Sequence, residues 1–249
     1  MKVFIALFLL ATCAFADNNY GDLVYSSNTN ISRSFINEAS GKIIVNNGVK
    51  VTYESYIDNR GYYENNGEIT SRDNDGVNFS NVLGATFINN GKMKVVQFSN
   101  SGSTATFYGD VSSYLYAGVS GNFRNVKGGT FSIIGATLSG DFVQENGYNV
   151  SGTIQTLIFG MHNSKMGQIN GNLTNTSGVV NVNIANMAYG THYKIITGTI
   201  SGLDSVSFVG ANLSDIITHY QNGEVWIEKK STEPDKPSPD NPNPPPPSA

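Results

Sequence analysis

The stretch F-I-N-N-G-K-M-K-V, Phe87 to Val95, decides how this chain folds. Asn-Gly stands there between alternating apolar residues. The phrase returns as I-V-N-N-G-V-K-V from Ile44 and Y-E-N-N-G-E-I from Tyr63. Looser echoes are Q-E-N-G-Y from Gln144 and Y-Q-N-G-E-V from Tyr220. Two readings compete. As a tight hairpin turn, Asn-Gly supplies two residues at φ > 0 and predicts an antiparallel sandwich or barrel. As the corner of a coil, it predicts a β-solenoid whose turns are short strands joined at Asn and Gly. The glycines at 48, 67 and 91 lie 19 and 24 residues apart, which suits one solenoid coil.

The side-chain parity after each glycine divides these sites. Apolar residues resume two positions after Gly67, Gly91 and Gly223, but one position after Gly48 and Gly147. In a strand, a shift of one residue turns every side chain to the other face. At least two kinds of corner are therefore expected. Asn89-Asn90-Gly91 should end one strand and start the next, with Phe87 or Ile88, and then Met93 and Val95, buried.

The rest of the body agrees with strands. Apolar residues alternate in short runs at 43–45, 49–53, 93–98, 104–108, 130–134, 153–159, 179–184, 193–200, 205–209 and 225–227. The runs are rich in Val, Ile, Thr, Phe and Tyr, and Gly or Asn punctuates them. All eight prolines lie between Pro234 and Pro247. Proline removes a ladder hydrogen bond, so a body without it suits continuous pairing. Residues 168–193 carry no charge, as stacked Asn, Ser and Thr would require. The segments 217–220 and 224–228 flank Asn222-Gly223 as a hairpin, which would cap the last coil. The expected fold is all-β: a single-stranded, right-handed β-solenoid with a C-terminal hairpin cap. A β-sandwich is the alternative.

Residues 1–16, M-K-V-F-I-A-L-F-L-L-A-T-C-A-F-A, have the charged start, apolar middle and small-x-small end of a secretory signal peptide. The apolar run is too short to span a membrane. Removing it takes away Cys13, the only cysteine, and Lys2, so the net charge goes from −4 to −5. The mature chain then has no disulfide and no thiol nucleophile. The expected organisation is signal peptide 1–16, solenoid 17–230 and an extended proline-rich tail 231–249. Charged residues are 14% of the chain, where about 25% is ordinary. No basic patch exists to neutralise phosphates, so nucleic acid is not an expected partner.

Side chains that could do chemistry are thin. His162, His192 and His219 stand singly, with no metal-ligand spacing among them. Asp73-Asn74-Asp75-Gly76 resembles part of a calcium loop, but Ser71 and Val82 would fall at its first and last ligand positions, and neither serves. A β-helical polysaccharide-degrading enzyme needs grouped carboxylates. After Asp75 none pair at strand spacing, although Asp110 and Asp141 would pair if the fold brought their coils together. No catalytic residue, metal site or cofactor is expected, and the chain is not read as an enzyme.

The aromatics offer a binding surface instead. Tyr53, Tyr56, Tyr62 and Tyr63 cluster, and Tyr114 and Tyr116 share one strand face. Of these, Tyr62, Tyr63, Tyr114 and Tyr116 are the candidate glycan contacts, since exposed tyrosines stack on sugar rings. Six Asn-x-Ser/Thr sites, at Asn30, Asn78, Asn149, Asn172, Asn175 and Asn212, would carry glycans and face outward if the source is eukaryotic. An ice-binding solenoid needs a regular threonine ladder. Thr104-x-Thr106, Thr174-x-Thr176 and Thr197-x-Thr199 are unequally spaced.

Taken with the signal peptide and proline-rich spacer, Y-K-I-I-T-G from Tyr193 and Y-Q-N-G-E-V-W-I from Tyr220 give a chain that resembles passenger domains of bacterial autotransporters. F-I-N-N-G-K-M from Phe87 and Y-E-N-N-G-E-I from Tyr63 are also similar to the N-terminal domain of fungal hyphally regulated cell-wall proteins. The likeness covers about Ile31 to Ile227 and implies a β-helix used in adhesion, with no catalytic motif. The expected function is a secreted or cell-surface structural or adhesive protein. Its partners would be a host or neighbouring cell surface, or wall or matrix polysaccharide or protein. A glycan-binding module with a Tyr-rich face is the alternative.

Overall fold

The structure, a computed structural model, describes residues 16–71, 78–113, 123–146, 154–201, 206–209, 216–221 and 224–230. Nearly all of the signal peptide, the proline-rich tail and the Asp73–Gly76 segment lie outside the described residues. Every element among the described residues is a β-strand. No helix among the described residues is long and apolar enough to cross a membrane.

The chain is a β-solenoid. Three sheets form its sides, and consecutive strands visit the first, second and third in rotation. Each strand pairs in parallel with the equivalent strands of neighbouring coils. Asn78–Val82, for example, lies between Ile57–Asn59 and Gln97–Ser101. A sandwich built on Asn-Gly hairpins would give antiparallel neighbours, so that alternative is excluded for the stack. The antiparallel exceptions are a small hairpin, Thr156–His162 with Lys165–Met166, and the terminal cap.

Parallel registry puts like on like. The inward side chains of the first sheet stack as Phe35, Ile57, Phe79, Phe98, Phe123, Phe142 and Leu173. Those of the third stack as Val51, Ile69, Met93, Val111, Leu138 and Ile169. Phe107 and Phe131 meet across successive coils with ring centroids 4.8 Å apart and nearly parallel planes. All of these residues are buried in one cluster. It supplies by apolar burial the stability that a chain without disulfides needs.

Phe87, Met93 and Val95 are buried, and Ile88 points outward. Asn89 ends the strand Thr86–Asn89 and Lys92 starts Lys92–Val95. The run 93–98 is two strands, because the chain turns a corner at Val96.

Side-chain parity does not separate the corners at Gly48, Gly67 and Gly91. Asn46-Asn47-Gly48, Asn66-Gly67 and Asn90-Gly91 occupy the same corner, between the second and third sheets. Val45 pairs with Asn65 and Asn65 with Asn89 before it; Lys50 pairs with Glu68 and Glu68 with Lys92 after it. The first corner has two extra residues. Gly48 takes φ +75° there, and Val49 turns into the core before the strand begins. The apparent shift is absorbed in the corner, and Val51 points inward as Ile69 and Met93 do. Gly147 and Gly223 lie outside the described residues.

The hairpin of Ile216–Gln221 and Glu224–Lys229 is present. It continues the third sheet by pairing antiparallel with His192–Ile196. Ile216, Val225 and Ile227 cover the end of the core.

Candidate recognition surface

A ladder of buried amides runs inside the corner between the first and second sheets. Asn19 Nδ2 donates to Asn37 Oδ1 at 2.8 Å, Asn37 to Asn59 at 2.7 Å, and Asn59 to Asn81 at 2.7 Å. The chain continues from Asn81 to Asn100 at 2.8 Å, Asn100 to Asn125 at 3.0 Å, Asn125 to Gln144 at 3.0 Å and Gln144 to Asn175 at 3.2 Å. The same amides donate to backbone carbonyls of their own or the next coil, as Asn59 does to Thr86. A carboxamide has two N–H donors and an accepting oxygen, so each rung satisfies its neighbours and the corner backbone. The sequence signal is an apolar residue, any residue, then Asn: F-I-N, I-D-N, F-S-N twice and F-R-N. Alternation of apolar residues misses it, because the second inward position of each short strand is the asparagine itself.

The Asn-Gly corner, between the second and third sheets, is built differently. Asn65 Nδ2 donates to Asn89 Oδ1 at 2.7 Å inside it, and Asn90 to Asn66 at 2.8 Å outside it. Glycine is required because the coils touch. A Cβ at Gly91 would strike the carbonyl oxygen of Gly67, and one at Gly109 that of Gly91.

That bare corner opens onto a groove of ≈ 1180 Å³ running across successive coils. Its floor holds Gly67, Gly91 and Gly109 with outward side chains of the third sheet, among them Lys50, Glu68, Lys92, Lys94 and Ser112. Its far wall is the small hairpin, whose turn residues Asn163 and Ser164 have φ of 50° and 62°, as a tight hairpin turn requires. The hairpin is pinned to an earlier coil. Lys165 Nζ lies 2.9 Å from Asp110 Oδ1, and His162 meets the edge of the Tyr108 ring at 5.2 Å between centroids. Burial raises the Asp110 pKa, but the hydrogen bonds from Lys165 and the Thr137 amide outweigh it and hold the carboxyl below its ordinary value. Four lysines against Glu68 and Asp110 make the groove net positive on an acidic chain.

The outward face of the second sheet carries a feature that spacing concealed. Thr86, Thr104, Thr130 and Thr156 are in register on four successive strands. Beside them run Ile88, Thr106, Ser132 and Ile158. Loop insertions make the sequence intervals unequal, while the sheet makes the spatial ones equal, about 4.8 Å per strand. Of the three Thr-x-Thr pairs, only Thr104-x-Thr106 belongs to this array.

The candidate glycan tyrosines separate. Tyr63 is a correction: it is fully buried, its hydroxyl 2.8 Å from that of Tyr53, and no sugar reaches it. It points inward because its strand continues the Ile43 and Phe87 positions. Burial pushes both hydroxyls well above the usual tyrosine pKa, and so holds them neutral. Tyr62 faces outward on the second sheet, donates to Glu64 Oε2 at 2.8 Å and has Lys42 over its ring. Its pKa is raised to about 12, by burial first and then by the Glu64 hydrogen bond and charge. Tyr114 and Tyr116 lie outside the described residues. Tyr108, at the groove's edge, was not among the candidates.

Of the sequon asparagines, Asn30, Asn78 and Asn172 are exposed. Asn175 is the second correction: it is the last rung of the amide ladder, buried, and donates to Gly178. Asn149 and Asn212 lie outside the described residues. Asp110 and Asp141 do not pair; they sit at the two corners that bound the third sheet and accept from the amides of Thr137 and Asn172. His192 and His219, remote in sequence, come together on the cap.

No family model, curated protein or solved structure matches this chain.

Proposed function

We propose that this chain is a secreted or surface-displayed contact protein whose β-solenoid holds an extended polysaccharide of a cell wall or matrix. The observation that carries this reading is the groove along the Asn-Gly corner. It follows the coil axis, so a linear polymer can lie along several coils and gain from repeated weak contacts. Its lining suits a hydroxyl-rich chain: lysine donors, two carboxylate acceptors and the Tyr108 ring. The excess of lysine favours neutral or acidic chains over basic ones. Adhesion then follows from display of the rod on a surface.

The test is binding of the full chain to soluble and insoluble wall and matrix polysaccharides. Tyr108→Ala should weaken binding about two- to tenfold, the worth of one ring contact. Val143→Lys, on the first sheet away from the groove, should leave it unchanged. Equal loss in both variants, or binding to none of the polymers, overturns the proposal.

A second reading rests on the Thr86–Thr104–Thr130–Thr156 row. A flat array of methyl and hydroxyl groups at fixed spacing is suited to an ordered surface, ice included.

A further inference from the structure

The cap brings together three side chains that are far apart in the chain. His192 lies on the strand His192–Ile196, Glu228 on Glu224–Lys229 and His219 on Ile216–Gln221. These are three adjacent antiparallel strands. His192 is directly opposite Glu228, whereas His219 is opposite Trp226 and reaches Glu228 along the diagonal. Both imidazoles aim Nε2 at one carboxylate oxygen. Glu228 Oε2 is 2.8 Å from His192 Nε2 and 3.2 Å from His219 Nε2. One ligand atom from each residue can be chosen so that all three lie within 4.8 Å of one another.

We propose that His192, His219 and Glu228 form a binding site for a divalent transition ion of borderline softness, with Zn²⁺ the best fit. Ligand atoms at the usual 2.0–2.2 Å from a tetrahedral zinc stand about 3.4 Å apart. The cluster therefore needs to open at the carboxylate by some tenths of an ångström and, its atoms lying within 4.8 Å of one another, to close between the imidazoles by up to about 1.4 Å. Two nitrogens and one oxygen select zinc-like ions over Ca²⁺ and Mg²⁺, which take oxygen ligands. The side chains of His192 and His219 are 57% and 39% exposed, so the ion has an entry path and a fourth position for water. Glu228 is 18% exposed and held by both rings, so the carboxylate is already oriented. The cationic neighbours are occupied elsewhere: Lys194 pairs with Glu224 at 3.2 Å, and Lys229 lies over the Tyr189 ring.

Such an ion would tie the edge strand Ile216–Gln221 to the strand on which the hairpin docks. Binding to the folded cap alone stabilises it by mass action. The metal would be a clasp on the open end of the solenoid, independent of the groove and of any polysaccharide.

The test is titration of ZnCl₂ into the full chain, free of any histidine tag, by calorimetry, with a thermal melt at each metal level. The expected result is one equivalent bound and a melting temperature that rises with zinc. His192→Ala and His219→Ala should each weaken binding at least about tenfold, since even outer-shell losses cost that much. His162→Ala, at the groove wall, should leave it unchanged. Circular dichroism confirms that each variant folds; should His219→Ala fail to do so, His192→Gln replaces it as the second ligand variant. No uptake by the wild type, or full uptake by a folded His192→Ala/His219→Ala chain, overturns the proposal.

Discussion

Asparagine and glycine serve different ends at the corners of this molecule. An asparagine side chain is short enough to stand in a tight corner and carries both hydrogen-bond senses. Stacked by parallel registry, Asn37, Asn59, Asn81, Asn100 and Asn125 satisfy one another in series. A buried amide without such partners would cost about 1–3 kcal/mol. Glycine at Gly91 is required by contact, because the backbone of the previous coil lies where a Cβ would go. Glycine at Gly48 is required by conformation, with φ +75° and open space around it. The two requirements predict different penalties. Gly48→Ala should cost about 1 kcal/mol, the ordinary price of φ > 0 for a side chain. Gly91→Ala should cost several times more, or prevent folding, because backbone must move. Urea denaturation of the two variants checks this, and equal midpoints would show that the coils do not touch at Gly91.

At the scale of elements, the two antiparallel hairpins are departures from a parallel stack, and each sits at a surface of interest. The hairpin Thr156–Met166 folds over Gly135, where any side chain would meet His162. Its Lys165–Asp110 pair spans two coils, but both side chains are about half exposed. An ion pair so placed contributes less than about 1 kcal/mol. The Asp110 pKa is depressed in the folded chain, so this contribution is present above its unfolded value near pH 4 and is lost as pH falls through the folded value. Lys165→Ala should therefore lower stability slightly at pH 7 and make a smaller difference at pH 2. Melting temperatures at the two pH values measure it. The groove wall should also loosen, read as faster amide exchange at 162–165.

For the whole molecule, repetition with irregular loops is the governing fact. Each coil contacts its neighbours, and the outward faces become columns of side chains at strand spacing. One face carries lysines and carboxylates beside a groove; on another, the four strands from Thr86 to Thr156 carry threonine, serine and isoleucine without charge. The second face makes a prediction of its own. If it binds ice, the full chain should suppress ice recrystallisation, and Thr104→Lys with Thr130→Lys should abolish that effect while leaving polysaccharide binding intact. No suppression by the wild type, measured by the splat assay, removes this reading and leaves the groove untouched.

Much of this was legible in the residues. The all-β class, the solenoid, the capping hairpin and the burial of Phe87, Met93 and Val95 follow from local pattern, since alternation and turn chemistry act over a few residues. The amide ladder was legible too, as apolar-x-Asn, but its strands are too short to show a period. Other features needed the tertiary structure. That Gly48 and Gly91 share a corner depends on a two-residue insertion, which parity alone misread. Tyr63 and Asn175 proved buried because registry, not composition, decides which face a residue takes. The threonine row, the groove and the meeting of His192, His219 and Glu228 depend on which coils and strands become neighbours. Sequence pattern determines what each strand is; stacking across variable loops decides what it stands beside.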